Sequence, residues 1–573
     1  MAGLFIALSL LATSVGNALR MPTDASASIG LPVTLEAPVT ELSGRLLAAD
    51  GRPIAVSHVH LQGYVDGAIL ASVRVGPDGG WTLAADTTGL FLLWFSGVGY
   101  RGERVGLLLS GEEPAIELEA RLARHEILPR PWQAELIGDF NEFSTDRGGI
   151  FLRSRTDGSL AAEVASGSDS IAVQLKGVAV AAEIELPDAD RYVYDGAGGY
   201  RGVIDAAGPF AAIALDPGRI PAGDGIGEVT FSDPDSESGR FGRFSRDLFG
   251  RVDDYFAHRA RSSAAGATLT QMRAIYEEYD PAPDAAMLAS HLAVEAGPFV
   301  RDLMLTTYMG APIKTDRTTA RKALDEIPPG SRAWRAQPRG LSEALSASAD
   351  PDRAHEYALA LLAEPAWRSE QDASVRSTAL AWLMEDALES GRPDELAAYH
   401  AWLTGEYAGT RAAERAAALY APDRKIQPGN RIPDFSVRSM DDAGASWSRD
   451  GLEGQVVMLD FWATWCGPCI TEMPYLHAAY EDWRDAGFTI LSLSFDLAPE
   501  DVENFRAEGD WPMPWLHTYV EDGADSDLAE ELDVVNIPRA ILIGRDGTIL
   551  ATNEALRGEK LELTLARVFE REN

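Results

Sequence analysis

The sequence predicts a multidomain chain: two N-terminal β-sandwich modules, an α-helical middle region and a C-terminal α/β domain. Three observations carry that prediction. From Val39 to about Leu122, and again from Trp132 to Thr230, short strand-like runs are cut by turn signals such as Asp50-Gly51, Asp66-Gly67 and Pro77-Asp-Gly-Gly80. From about Phe241 to Tyr420 apolar residues recur three and four apart, as in Ala354 to Leu362, Val375 to Leu388 and Glu395 to Leu403. Finally, the apolar run Val456-Val-Met-Leu-Asp-Phe-Trp462 reads as a buried strand, and after Cys466-Gly-Pro-Cys469 a helical pattern begins at Met473, Leu476, Tyr480 and Trp483.

Composition bounds the function. At 573 residues the chain has room for about four domains. Its hydrophobic fraction of 46% is ordinary for globular protein, so sizeable cores are expected. Net charge is −38, from 50 basic and 88 acidic residues, which argues against nucleic acid or an anionic membrane as partner, since both require basic patches. The excess acid reads as a solubility feature. Residues 1–18 form an apolar stretch ending in small residues, and an export signal cleaved after Ala18 is expected, although no Lys or Arg precedes the apolar run. The stretch is short for a membrane span, and no cysteine follows it to carry a lipid. A chain with two cysteines suits an oxidising compartment, where a spare thiol would mispair.

The segments follow in order. Residues 19–37 are rich in Ser, Ala, Pro and Thr and read as a linker. The first β module, 38–122, places His58 and His60 on one strand face; without a third ligand they read as strand residues rather than a metal pair. In turn rhythm this module is similar to carboxypeptidase-regulatory-like domains. The second, 132–232, opens with Leu136-Ile-Gly-Asp-Phe-Asn-Glu-Phe143 and resembles the early-set, glycogen-binding type of immunoglobulin-like module. Phe143 stands where that family has a tryptophan, and Trp132 is the segment's one tryptophan, so a spacer or docking role is expected in place of sugar binding. The acidic Ser232-Asp-Pro-Asp-Ser-Glu-Ser238 lacks calcium-loop spacing and reads as linker. A helical spacer is expected over 241–421, broken at Gly391-Arg-Pro393 and Gly405 to Gly409, with a boundary at Pro422 to Pro433.

The C-x-x-C sits where a strand's C-terminal end meets a helix N-terminus. Unpaired N–H groups and the helix dipole there favour a thiolate. Pro474, one turn in, is expected to kink the helix. Half of a zinc site fails for want of ligands, because the chain has no further cysteine and nine scattered histidines. A structural disulfide is disfavoured as well, since a loop of two residues constrains almost nothing in the unfolded chain. Redox chemistry remains.

Residues 428–573 run Arg431-Ile-Pro-Asp-Phe-Ser436, a hairpin, the Cys-Gly-Pro-Cys strand and helix, Phe488 to Asp496, a helical insert, Val535-Asn-Ile-Pro-Arg539, an Asp546-Gly547 turn, and a last strand and helix. This order resembles the TlpA/ResA/DsbE group of exported thioredoxin-fold thiol–disulfide oxidoreductases. The resemblance implies that Cys466 attacks as an exposed thiolate, that Cys469 resolves the mixed disulfide, and that Trp465, Gly467, Pro468, Ile537 and Pro538 meet the substrate. It also implies a cis Pro538 that leaves the Ile537 backbone open to a substrate strand. Asp460 and Glu472 match the family's carboxylates that serve the resolving thiol, and desolvation of such a group raises its pKa toward neutrality. Departures are Ser492 at the place of thioredoxin's lysine, Arg539 where Thr or Ser is usual (implying a changed substrate choice), and Leu459 and Ala463 where peroxiredoxins carry Pro and Thr.

The expected activity is reduction of protein disulfides in the periplasm or outside the cell, with no metal or organic cofactor, and with recycling by a membrane electron donor of the DsbD type. Two other classes stand beside it. One is a surface-binding protein whose β modules grip a glycan or protein ligand, the redox domain being accessory. The other is an interaction scaffold, against which the intact Cys-Gly-Pro-Cys, the two acids and the Ile-Pro pair argue.

Overall fold

The computed structural model describes residues 39–572 with short interruptions, the longest at 144–148 and 366–371. The expected export signal and the linker after it lie outside the described residues. The chain divides into two compact units, one running through Ala360 and the other from Leu361 onward.

In the first unit, β-rich sequence forms two four-stranded sheets. One has the order Glu228–Phe231, Ala115–Leu122, Thr40–Ala48, Gly80–Ala85; the other runs Ile69–Arg74, Ser57–Gly63, Gly89–Gly97, Glu103–Leu109. Alternation along the strands drives both sheets to one shared core, Leu42, Leu46, Trp81 and Leu118 from the first and Val59, Leu93, Phe95 and Leu107 from the second. Gly44 shows why the close parallel pairing of Thr40–Ala48 with Ala115–Leu122 requires glycine: a Cβ there would lie 1.7 Å from the Leu118 carbonyl oxygen. A three-stranded and a six-stranded sheet follow, with a second core that includes Leu136, Val164, Val173, Leu175 and Ile213.

The strand Glu228–Phe231, expected to close the second β module, instead pairs antiparallel with Ala115–Leu122 of the first. The acidic stretch after it is likewise no linker. The Ser232 N–H continues the ladder to the Glu117 carbonyl, and the Ser236 hydroxyl caps the helix Glu237–Ala264 by accepting from the Gly239 N–H. That helix packs along Glu103–Leu109, where the Ser238 hydroxyl donates to the Leu108 carbonyl and the Gly106 N–H to the Ser245 hydroxyl.

The second unit holds the helices Ala373–Glu389 and Pro393–Glu406 together with the C-terminal sheet. That sheet has the order Leu516–Tyr519, Phe488–Ser494, Val456–Trp462, Arg539–Ile543, Ile549–Thr552. Pairing is parallel across the first three strands and antiparallel at the other two junctions. Val456–Trp462 and Phe488–Ser494 are buried throughout, which explains their near-continuous apolar sequence. The helix Gly467–Trp483 lays Ile470, Met473, Leu476 and Ala479 into the core, each large side chain contributing about 1.5–3 kcal/mol of apolar burial. It runs on through Pro474 and is braced by the last helix, Glu559–Glu572, where Trp483 stacks on Phe569 at 4.9 Å. Among the described residues no helix is long and apolar enough to cross a membrane.

Candidate active site around the Cys466–Cys469 pair

Cys466 is the N-cap of the helix Gly467–Trp483, and Pro468 occupies its first turn, where a missing N–H costs nothing. The two cysteines form a disulfide. The Cys469 N–H donates to Cys466 Sγ at 3.2 Å, so the sulfur already meets one unpaired donor of the helix start. In the disulfide Cys466 is 5% exposed against 2% for Cys469, and Trp465 beside them is 36% exposed.

The loop leading to the pair is tied down. The backbone N–H and hydroxyl of Thr464 both donate to the Asp496 carboxylate, the hydroxyl at 2.6 Å, and Ser494 donates to it at 2.7 Å. Burial pushes the Asp496 carboxyl up from its ordinary pKa, while the donors from Thr464 and Ser494 oppose the shift. Sequence reading did not single Asp496 out. Its position follows from strand register: Trp462 and Ser494 are partners, so two residues further along each strand Thr464 and Asp496 come together.

On the central strand that leads to the pair, Asp460 is 3% exposed. Burial raises its pKa to about 6, against the opposing pull of the Arg557 guanidinium and the Ser492 hydroxyl; Glu472 adds to the rise. Ser492 donates to Asp460 Oδ2 at 3.2 Å, and the Trp515 indole N–H donates to Ser492 Oγ at 2.9 Å. Glu472, on the active-site helix, is half-buried and its Oε2 accepts the Gly558 N–H at 2.8 Å. The neighbouring Arg557 donates to the Pro538 carbonyl at 2.5 Å. One short turn thus touches both the second carboxylate and the carbonyl that follows the cis Ile537–Pro538 bond. Arg557 had no sequence signal, because it follows the single short turn Asn553–Leu556, which no periodicity announces.

Arg539 stands apart. It pairs in register with Phe461, whereas Ala540 pairs with Asp460, so its side chain leaves the sheet on the face away from Asp460. At 2% exposure it presents nothing to a substrate surface, and burial, with Arg424 nearby, lowers its pKa to about 10. The expected change of substrate choice through this residue has no structural basis. In the first unit, His58 and His60 do share a strand face, and each meets a tyrosine. His58 Nδ1 shares a hydrogen bond of 2.8 Å with the Tyr200 hydroxyl, and His60 Nδ1 shares one with that of Tyr194. Trp132 packs on the second core with its N–H on the Leu128 carbonyl, and so offers no open stacking platform. Among the described residues no group of three metal-ligating side chains occurs.

A parallel-then-antiparallel sheet bearing a Cys-x-x-Cys disulfide at a helix start and a cis-proline defines a thioredoxin-like redox domain. Comparison with known proteins agrees. The AhpC/TSA family matches residues 428–552. A thiol-disulfide oxidoreductase ResA of Bacillus cereus is 30% identical over 152 residues, 26% of this chain and 84% of the relative. The thioredoxin-like protein YneN of Bacillus subtilis (strain 168) is 34% identical over 125 residues, 22% of this chain and 69% of the relative. Among solved structures, the thioredoxin domain of a thiol-disulfide oxidoreductase from Bacteroides vulgatus is 29% identical, covering 25% of this chain and 99% of that one with a TM-score of 0.23. Through its C-terminal region the chain belongs to the ResA-like thiol–disulfide oxidoreductases.

Proposed function

We propose that the protein is an exported reductant of protein disulfides. The observation that carries this reading is the Cys466–Cys469 disulfide at a helix start, with a buried carboxylate of raised pKa on the strand that leads to it. In the reduced state the Cys466 thiolate attacks one sulfur of a substrate disulfide. A bond forms between Cys466 Sγ and that sulfur, and the other substrate sulfur leaves as thiolate and takes up a proton. Cys469 then gives its proton to Asp460 or Glu472, directly or through water, and attacks Cys466 Sγ. The mixed disulfide breaks, the substrate leaves as a dithiol, and the domain retains the disulfide, two electrons having passed to the substrate. Trp465, Gly467 and Pro468 surround the reacting sulfur, and the Ile537 backbone beside Pro538 is the edge that a substrate strand would join.

The direction rests on the Gly-Pro pair between the cysteines, as in thioredoxin near −270 mV and unlike the oxidant DsbA near −120 mV. It also rests on the ResA relatives, whose kind implies reduction outside the cytoplasm with recycling by a DsbD-type donor. Peroxide reduction, raised by the AhpC/TSA match, is disfavoured by Leu459 and Ala463 at the positions of the peroxiredoxin Pro and Thr. The domain division read from the sequence places the β modules as docking or spacer elements, immunoglobulin-like in type. The test is the reduction potential of the full chain, which reports this pair alone because the chain has two cysteines. A value near that of thioredoxin is expected, and one above roughly −180 mV would assign the domain to disulfide donation or shuffling.

A further inference from the structure

The place of thioredoxin's lysine is filled here by Ser492, yet Asp460 is not left alone. Asp460 and Ser492 are register partners on adjacent parallel strands, so their side chains rise on one face. Ser492 is fully buried, with its hydroxyl on Asp460 Oδ2 at 3.2 Å. Trp515, just before the strand Leu516–Tyr519, is also buried and donates to Ser492 Oγ at 2.9 Å. An indole N–H can only donate. By filling one lone pair of Ser492 Oγ, it leaves the serine hydrogen to point at the carboxylate, so the chain of donors favours the charged form of Asp460. The indole is held in turn by the active-site helix itself, with His477 at 4.7 Å and Tyr480 at 5.4 Å between ring centroids.

We propose that Trp515 and Ser492 are positioning residues that set the proton affinity of Asp460, and through it the pH range over which Cys469 is activated. This rests on the reading of Asp460 as a proton acceptor for that thiol. Burial pushes the Asp460 carboxyl up, and the Ser492 hydroxyl, oriented by Trp515, opposes that rise as a neutral donor. The other charged groups that face Asp460 are Glu472, from the active-site helix, and Arg557, from the turn before the last helix. Neither touches Ser492 or Trp515 through any hydrogen bond among the described residues, so the pair can be varied with both in place.

The experiment is a titration of the Asp460 carboxyl carbon by NMR in the oxidised full-length protein, run on the parent, Ser492→Ala and Trp515→Phe, with Asp460→Asn to assign the signal. Ser492→Ala is expected to raise the midpoint by about one pH unit, the worth of one hydrogen bond to a carboxylate, and Trp515→Phe to raise it by less. An unchanged or lowered midpoint in Ser492→Ala, with its native spectrum otherwise retained, overturns the inference. Resolution rates of a Cys466 mixed disulfide against pH then test the underlying reading separately. If Asp460→Asn leaves that profile unmoved, Asp460 is not the acceptor, whereas the NMR midpoints still decide what Ser492 and Trp515 do to it. If the midpoint moves in Ser492→Ala while Asp460→Asn alters the profile, the rate profile of Ser492→Ala should move to higher pH by the same amount; a profile that stays in place refutes the link to Cys469.

Discussion

Two buried polar clusters, one in each unit, make an instructive pair. Between strands of the first unit, His58 and His60 lie against Tyr194 and Tyr200, and burial lowers both imidazoles and raises both phenols. In the second unit, burial raises Asp460 to about 6. The same desolvation acts on both sets, yet with opposite consequences near neutral pH. Imidazoles pushed down and phenols pushed up stay neutral across the working range, so that cluster is inert and holds strands together. A carboxyl pushed up to about 6 is brought into that range, on the strand that leads to the redox disulfide. A perturbed pKa marks chemistry only where it lands near the operating pH and beside a reacting group.

The largest test of that contrast removes the reacting group. Cys466→Ser should reduce dithiol–disulfide exchange by about a thousandfold or more, and Cys469→Ser should trap substrate on Cys466, visible as a mixed-disulfide mass. Neither change should alter the unfolding behaviour of the His–Tyr cluster. The next test concerns stability. Asp460 has a folded pKa above its ordinary value of 3.8, so its contribution to stability is fully present below about 3.8 and is lost as pH rises through about 6. Asp460→Asn should therefore stabilise the protein by about 3 kcal/mol at pH 8, with no gain at pH 3, read from urea midpoints.

The smallest effect is expected in the other cluster. Tyr194→Phe deprives His60 Nδ1 of its partner and should cost about 1 kcal/mol, with exchange activity unchanged. The pH sign is reversed there. Histidines with lowered folded pKa values contribute stability above about 6.5 that is lost as pH falls, and for His125, which burial lowers to about 4, the window runs from 6.5 down to 4. A first unit that grew more stable on acidification from pH 7 to 5 would break the comparison.

The C-terminal domain was legible because its signals are local. A continuous apolar run announces a strand buried on both faces, and a strand–Cys-Gly-Pro-Cys–helix junction places two sulfurs without further information. What was missed there depends on register between distant strands. Asp496 reaches Thr464 because Trp462 pairs with Ser494, and Arg539 faces away from Asp460 because Phe461, not Asp460, is its partner. In the first unit, alternation announced the strands but not which sheet each joins. Glu228–Phe231 returns to pair with Ala115–Leu122 more than a hundred residues earlier, and no local pattern encodes that. The serine that turned a supposed linker into a helix start, Ser236, was a readable cap signal overshadowed by its acidic neighbours.

The clamp on the cysteine loop bears on the speed of electron transfer between proteins. Thr464 is fastened to Asp496 by two donors, Phe495 donates its N–H to the Trp462 carbonyl, and Cys466 donates its own to Ala463. When the disulfide opens, the backbone around it is already fixed, and the freedom released is rotation about two side-chain bonds. Little ordering entropy has to be recovered when the bond closes again. If exchange runs through Cys466 as proposed, reorganisation inside the domain adds little to its barrier, and the approach of the partner sulfur sets its pace.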